Sequence, residues 1–452
     1  MFDRLLRWWD DLRSSYWFIP SLLTFAAFVL AVVLPAIDAW LGSDWIDRYR
    51  WLAPTQPEGA RSLLATIAGS MITVGGVAFS VTIAAVAYAT AQFGPRLLTN
   101  FMRDTGNQVA LGMFTATFLY CILVLRGVRS PGGAEVGAVV PHISVLAGVI
   151  LAVISLGVLI YFFHHVPATI HAESVVGDIG RQLETRLGAL FPPALGIHDG
   201  AGGDAGTAES AHTPPESDPE ASFPDELDPR WRPISVSEGG YLQFIAVGRL
   251  TGIGEEHDLR IRVAAPTGTF LRQGEPACFA WATEPLPEEV VEALRSCFAQ
   301  GRSRTDHGDV LFLTQELVEI SARALSPGIF DPFTAMNCID WIVNGLSIAG
   351  RGDPHLPPGP ASDTDRLRIP RHDFDALVEA GLAGLRSYVA ADRNAALHLA
   401  TNLQVLMNGD LTPHARRVLE VHTELFVSAC DRALPHEADR TAVRDALGLP
   451  RT

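Results

Sequence analysis

Hydrophobic positions are concentrated before His164, where they form four long stretches that few polar residues interrupt. The stretches cover about residues 17–34, 62–91, 109–125 and 142–163. About 20 consecutive apolar residues let a helix cross the hydrocarbon core of a bilayer, so each stretch predicts one transmembrane helix. The predicted fold class is an α-helical membrane domain over residues 1–165, followed by a soluble α+β region.

The arginines that flank these stretches predict the orientation of the chain. One side has Arg4, Arg7, Arg13, Arg96, Arg103, Arg181 and Arg186, and the other has Arg48, Arg50, Arg61, Arg126 and Arg129. Because cytoplasmic loops carry the excess of basic residues, seven against five favours both termini in the cytoplasm.

The second stretch carries the most informative pattern. Its length corresponds to a helix of about 45 Å, which is longer than the bilayer core requires. Small or polar residues recur along it at spacings of three and four, and they therefore share one helical face: Thr66, Gly69, Thr73, Gly76 and Ser80. We call these five residues the small-residue stripe. Two interpretations remain open, a seam for helix packing and a pore or substrate path lined by hydroxyl groups.

A short amphipathic helix is predicted after the second stretch, beginning near Pro95. Arg96, Asn100 and Arg103 lie together on its polar face. These arginines suit contacts with lipid phosphates or neighbouring acidic residues. The alternative is a ring that attracts anions at the cytoplasmic end of a pore.

The second to fourth stretches contain no Asp, Glu, Lys or Arg deep inside them, which disfavours proton pumps and many ion-coupled transporters. His164 and His171, at the end of the fourth stretch, are seven residues apart and share a helical face. A metal site needs at least one further ligand. We therefore predict interfacial or structural histidines and no metal site.

The soluble region is predicted to contain four segments. Residues 166–190 continue the fourth span as an amphipathic helix, and residues 191–230 form a flexible linker rich in Gly, Pro and acidic residues. Residues 231–285 alternate in hydrophobicity, most clearly at 241–245 and 259–263, and predict a small β module. Residues 263–276 resemble the barrel-sandwich hybrid of biotinyl and lipoyl domains. Residues 286–452 predict an α-helical domain.

Composition excludes several functions. The chain has no lysine, so it lacks Schiff-base, phosphate-loop and biotin- or lipoyl-carrier chemistry, and its net charge of −16 argues against nucleic acid. No nucleophile elbow or dinucleotide-binding glycine motif is present, so we predict no cofactor and no enzymatic activity. The five cysteines lack a C-x-x-C pair and predict buried free thiols in a reducing cytoplasm: Cys121, Cys278, Cys297, Cys338 and Cys430.

Six motifs carry a family resemblance across most of the chain: residues 62–74, 92–98, 118–121, 139–144, 160–165 and 324–335. Together they resemble a bacterial family of predicted integral membrane proteins, domain of unknown function twenty-two fifty-four. Phe330 stands where that family usually has Asn, and Gly94 where it often has Ser. The resemblance implies a multi-pass protein of the bacterial inner membrane and supplies no catalytic residues.

Two functional hypotheses from different classes remain. The first is a homo-oligomeric channel or passive transport protein, whose partners are the lipid bilayer, further copies of the chain and ions, and whose cytoplasmic region assembles or gates it. The alternative is a membrane-anchored sensor or scaffold whose β module and helical domain bind a partner. A membrane enzyme has the least support.

Overall fold

The computed structural model describes residues 17–41, 57–93, 104–128, 141–170, 172–192, 223–225, 228–305, 308–352 and 366–450. The chain divides into two compact units, residues 1–175 and 176–452.

Four helices of the first unit are long and apolar enough to cross a membrane: α1 (Phe18–Leu41), α2 (Pro57–Phe93), α3 (Thr105–Gly127) and α4 (His142–Ile170). The four predicted membrane helices are therefore confirmed. Helix α3 is the most central, because its contacts with the other three helices are the most extensive. The approach to α1 is close, since a Cβ atom on Gly112 would lie 2.9 Å from Cα of Pro20.

Helix α1 is longer than the sequence predicted. It was expected to end at Leu34, but it continues through Pro35 to Leu41. A proline removes one helical hydrogen bond, and membrane helices tolerate this loss where neighbouring groups compensate. The extension brings Asp38 to the first turn of α4. Its carboxylate accepts hydrogen bonds from the backbone nitrogens of Ile143 and Ser144 at 2.9 and 3.0 Å, and from Oγ of Ser144 at 2.7 Å.

The second unit begins within α5 (Ala172–Leu190), the predicted amphipathic helix. The apolar face of α5 is buried at Val176, Ile179, Leu183 and Leu187. It packs against the helix that we call α9 (Pro332–Arg351).

Two small sheets follow. The first has the order β1 (Trp231–Ser235), β5 (Pro276–Trp281), β3 (Arg260–Val263), β7 (Leu367–Arg368), and the second has the order β4 (Phe270–Leu271), β2 (Gly240–Ile245), β6 (Phe298–Gly301). All described pairings are antiparallel except that of β3 with β7. Both sheets contribute to one hydrophobic core, which includes Leu242, Ile261 and Phe298.

The β module differs from its predicted extent of 231–285 in two respects. Strands β6 and β7 come from the segment expected to be helical, because a short strand is specified by the partner it pairs with rather than by its own pattern. The module also contains the helix α6 (Val247–Glu256), whose buried residue Leu250 lies in the same core.

Helix α7 (Glu288–Arg295) packs on the core of the β module through Val290 and Leu294. The other helices of the second unit are α8 (Val310–Ala324), α9, α10 (Phe374–Val378), a π-helical turn (Glu379–Ala383), α11 (Gly384–Val389), α12 (Arg393–Met407), α13 (Pro413–Ala433) and α14 (Glu437–Ala446). The sequence Asp331–Pro332 is a favourable N-cap and first-turn pair, and α9 begins there: Asp331 accepts a hydrogen bond from the nitrogen of Thr334 at 3.2 Å and Pro332 is the first helical residue.

Candidate functional site

The small-residue stripe faces away from the other membrane helices. All five of its residues are exposed, and a Cβ atom on Gly69 or Gly76 would meet nothing within 4 Å. Helix α2 packs against α3 and α4 through its opposite side, given a turn of about 100° per residue. That side carries Ala60, Leu64, Ala68, Gly75 and Ala78. Packing among the described residues therefore does not account for the stripe.

The hydroxyl groups of the stripe are satisfied within α2 itself. Thr66, Thr73 and Ser80 each donate a hydrogen bond to the carbonyl oxygen four residues earlier, at 2.7, 2.8 and 2.9 Å. Each hydroxyl therefore uses its hydrogen inside the helix and directs oxygen lone pairs outward. Such a surface can accept hydrogen bonds from water or contact a cation.

Large apolar side chains border the stripe on both sides, and they are exposed as well. One border contains Leu63, Val77 and Val81, and the other contains Ile72, Phe79 and Ile83. Beside the second border, α1, α2 and α3 enclose a groove of about 770 Å³ that includes Gly76 and Phe79. The exposed face of α2 thus has a polar centre and two apolar margins, each broad enough to contact a neighbouring helix.

The other candidate site residues predicted from the sequence do not form a site among the described residues. Arg96, Asn100, Arg103 and His171 lie outside the described residues. His164 is exposed at the end of the fourth candidate span. Among the described residues, no three His, Cys, Asp or Glu side chains are grouped so that they could hold a metal ion.

The prediction of buried free thiols is confirmed for all five cysteines. In the soluble unit, burial raises the pKa of the Cys278 and Cys338 thiols far above their usual range, and it raises the pKa of Cys430 to about 12. These groups stay protonated near neutral pH, so they are poor nucleophiles and poor metal ligands.

The soluble unit contains a cavity of about 310 Å³ that the sequence did not predict. Strand β2, the first turns of α6 and α8, the turn at residues 266–267, the segment 369–372 and the end of α5 surround it. Its walls are mostly apolar: Leu190, Phe244, Ile245, Val247, Pro266, Val310, Ile369 and Pro370. Its polar lining side chains are Gln243, Thr267, Arg371 and His372.

A buried carboxylate lies directly behind this cavity. Asp309 is fully buried and caps α8 by accepting a hydrogen bond from the nitrogen of Phe312 at 3.0 Å. Arg304 neutralises it, with Nε and Nη2 at 2.9 and 2.6 Å from Oδ2. The Nε2 atom of His372 lies 3.9 Å from the other carboxylate oxygen and 3.3 Å from the carbonyl oxygen of Thr267.

Arg371 supplies the remaining charge. Its Nη2 atom is buried and has no hydrogen-bond partner among the described residues. No Asp or Glu among the described residues lines the cavity. Because Arg304 already compensates Asp309, the guanidinium group of Arg371 leaves the cavity with an excess of positive charge.

The sequence could not have identified this cavity, because its polar residues come from segments up to about 130 residues apart and none belongs to a recognisable motif. The one local signal was the sequence Ile369–Pro370–Arg371–His372, a basic pair that directly precedes a helix N-cap at Asp373.

Comparison with known proteins gives a family and no activity. The model of the family described as "Predicted membrane protein (DUF2254)" matches residues 13–404. Uncharacterized proteins of Mycobacterium bovis and of Mycobacterium tuberculosis strain H37Rv are each 26% identical over 446 residues, which is 97% of this chain and 80% of theirs. No solved structure matches. The family match, the coverage of the relatives and the four apolar helices agree, and the chain belongs to the DUF2254 family of predicted membrane proteins.

Proposed function

We propose that this protein is a homo-oligomeric channel or passive transport protein of the bacterial inner membrane, in which α2 of each copy faces a shared axis. The observation that carries the proposal is the outward position of the small-residue stripe on a helix whose opposite side is packed. We place both termini, and hence the soluble unit, in the cytoplasm, on the arginine distribution and the free thiols.

The physical argument concerns what each part of the exposed face of α2 would contact. Lipid acyl chains form no favourable polar contact with hydroxyl oxygens, whereas water can donate hydrogen bonds to them and cations can be coordinated by them. The apolar margins can pack against neighbouring copies, which would leave the stripe at the axis. The second to fourth spans carry no acidic or basic residue deep inside them, so the transport would be passive. Arg96, Asn100 and Arg103 would then surround the cytoplasmic mouth.

Thiol accessibility tests whether the stripe faces water. A Thr73→Cys variant should react quickly with a charged, membrane-impermeant thiol reagent, because its sulfur would lie in an aqueous path. The matched control is Val153→Cys on α4, a position that is 65% exposed and apolar. The native cysteines are buried and should contribute little background. Equal reaction rates at the two positions would contradict an aqueous path along α2.

Flux through reconstituted liposomes tests conduction. The wild-type protein should release trapped potassium or chloride, and Thr73→Phe should reduce this release while Val153→Phe leaves it unchanged. Both substitutions add a ring at an exposed position, so a folding defect is not expected for either. Flat flux in the wild type, or a monomeric state in detergent by native mass spectrometry, would eliminate the proposal. A dimer without flux would indicate a packing seam.

A second candidate is a membrane-anchored scaffold, which the surface of the soluble unit favours. Phe330 and Phe333, at the turn before α9 and in its first turn, are 65% and 77% exposed, and Phe330 has a left-handed backbone with φ of 47°. Exposed aromatic residues of this kind are enriched where proteins bind one another. Cross-linking of the full-length protein in cells should then give a discrete product that Phe330→Ser combined with Phe333→Ser abolishes. Identical products from both proteins would remove this candidate.

A further inference from the structure

The cavity of the soluble unit has the properties of a binding site for a small organic anion. Its volume of about 310 Å³ is at the lower end of the range for ligand pockets, and its walls are apolar with a few convergent polar groups. We propose that it binds a monocarboxylate with a compact apolar body, and that the guanidinium group of Arg371 contacts the carboxylate. The inference is independent of the proposed pore, since it holds whether or not ions cross the membrane.

The charge of the ligand follows from the groups around the cavity. Among the described residues, Arg371 and His372 are the only ionisable side chains that line the cavity, and none of the described lining residues is acidic. The nearest carboxylate, Asp309, is occupied by Arg304 and by the first turn of α8. A cation would therefore find no counter-charge, whereas an anion would meet the guanidinium group of Arg371.

The buried Nη2 atom of Arg371 points to a missing partner. A buried donor without a hydrogen bond is costly, and a carboxylate oxygen is the acceptor that a guanidinium group binds best. The backbone on both sides of Arg371 is fixed, by the pairing of β7 with β3 and by the capping hydrogen bond of Asp373 to the nitrogen of Ala376 at 2.8 Å. The backbone from which the guanidinium group extends is therefore held in place before a ligand arrives.

The number of charges distinguishes a carboxylate from a phosphate. One uncompensated guanidinium group matches one negative charge, whereas a phosphate dianion generally requires several donors or a second cation. The apolar walls, among them Ile245, Val247 and Val310, disfavour an inorganic ion, which would lose its hydration without compensation. They suit an aliphatic or aromatic body instead.

Ligand-observed NMR titration of the full-length protein in detergent tests this assignment. Phenylacetate is the probe, 2-phenylethanol lacks its charge, acetate lacks its apolar body, and phenyl phosphate carries the alternative anion. We expect saturable binding of phenylacetate that is at least ten-fold tighter than binding of 2-phenylethanol or acetate. Equal affinity for phenylacetate and either of these two analogues, or tighter binding of phenyl phosphate, would overturn the monocarboxylate assignment.

Variants locate the site. Arg371→Gln should weaken phenylacetate binding by about ten- to 100-fold, because it removes a charge-assisted hydrogen bond. Arg272→Gln is the matched control, since it removes the same charge from an exposed ion pair with Glu275 outside the cavity, and it should leave binding unchanged. Equal effects of the two substitutions would refute a role for Arg371.

A second variant keeps the test decisive if Arg371→Gln does not fold. Val247→Phe fills the cavity from the first turn of α6 and leaves every charged group in place. It should abolish phenylacetate binding without lowering the melting temperature by more than a few degrees. Unchanged binding in the folded Val247→Phe variant would overturn the proposal. A failure here leaves the flux and accessibility results intact, so it is distinguishable from a failure of the proposed channel.

Discussion

The packing of α5 on α9 predicts how alanine substitutions at two glycines of α5 change the stability of the protein. Gly180 is buried against the ring of Trp341, and a Cβ atom there would lie 2.0 Å from Cδ2 and 2.4 Å from Cγ. Gly188 is exposed, and a Cβ atom there would meet nothing within 4 Å. The same substitution to alanine should therefore have opposite effects at the two positions.

The magnitude is the balance of two terms. Replacing a glycine inside a helix by alanine stabilises the helix by about 1 kcal/mol, and both variants gain this. Carbon atoms in contact normally lie about 3.5–4.0 Å apart, so at Gly180 the ring or the helix must shift by about 1.5 Å. Crowding of a packed core costs about 1–3 kcal/mol. We therefore expect Gly180→Ala to be about 1–3 kcal/mol less stable than Gly188→Ala.

Thermal unfolding of the full-length protein in detergent, followed by tryptophan fluorescence, measures this difference. For a unit of this size, 1 kcal/mol corresponds to about 2–4 °C, so the two melting temperatures should differ by about 2–12 °C. Replacing Trp341 by Leu in the Gly180→Ala background should recover part of the loss, because the ring that the new methyl group overlaps is gone. Equal melting temperatures for the two alanine variants would refute the close packing of α5 on α9.

Three further predictions concern the caps, turns and titratable groups of the chain. Asp38→Ala should lower the thermal stability of the purified protein by about 1–2 kcal/mol, because it removes the cap of α4, and Asp38→Asn should lower it less. Gly268→Ala should destabilise the protein by about 1–3 kcal/mol more than Gly274→Ala in urea unfolding. Both glycines have a left-handed backbone, at φ of 87° and 85°. Only at Gly268 would the new Cβ atom overlap a neighbour, since it would lie 1.9 Å from a carboxylate oxygen of Asp309. Burial and the neighbouring Arg386 lower the pKa of His422 below 6.5, so the unfolded state binds a proton at this imidazole more readily than the folded state does. The free energy of unfolding should therefore fall as the pH decreases through and below about 6.5. His422→Gln should flatten this pH dependence.

The sequence predicted those parts of the fold that are decided locally. The four membrane spans follow from uninterrupted apolar stretches, because the bilayer imposes its thickness on each helix separately. The caps of the soluble helices were equally readable, as with Asp331 and Pro332 at the start of α9. In both cases the residues that specify the structure are neighbours in the chain.

The sequence did not predict what depends on distant partners. Strand β7 is two residues long and exists because it pairs with β3, about 100 residues earlier. The role of Asp38 depends on α4 beginning beside it, which no periodicity within α1 reveals. The cavity was missed for the same reason, since the charge of Arg371 matters only because Asp309 is already neutralised by Arg304.

Polar side chains of the membrane unit differ in where their hydrogen-bond partners lie. Between α3 and α4, some buried polar side chains have partners on the other helix: Thr117 and Ser155 are 2.9 Å apart, and the hydroxyl of Tyr120 donates to the carbonyl of Ser144 at 2.8 Å. The hydroxyls of the small-residue stripe are different, since each is bonded only to its own helix. Packing among the described residues explains the first kind of polar residue and does not account for the second. The proposed function gives the stripe two alternative environments, water at an axis or α2 of another copy. Fast reaction of Thr73→Cys with the thiol reagent would indicate the first, and slow reaction would indicate the second.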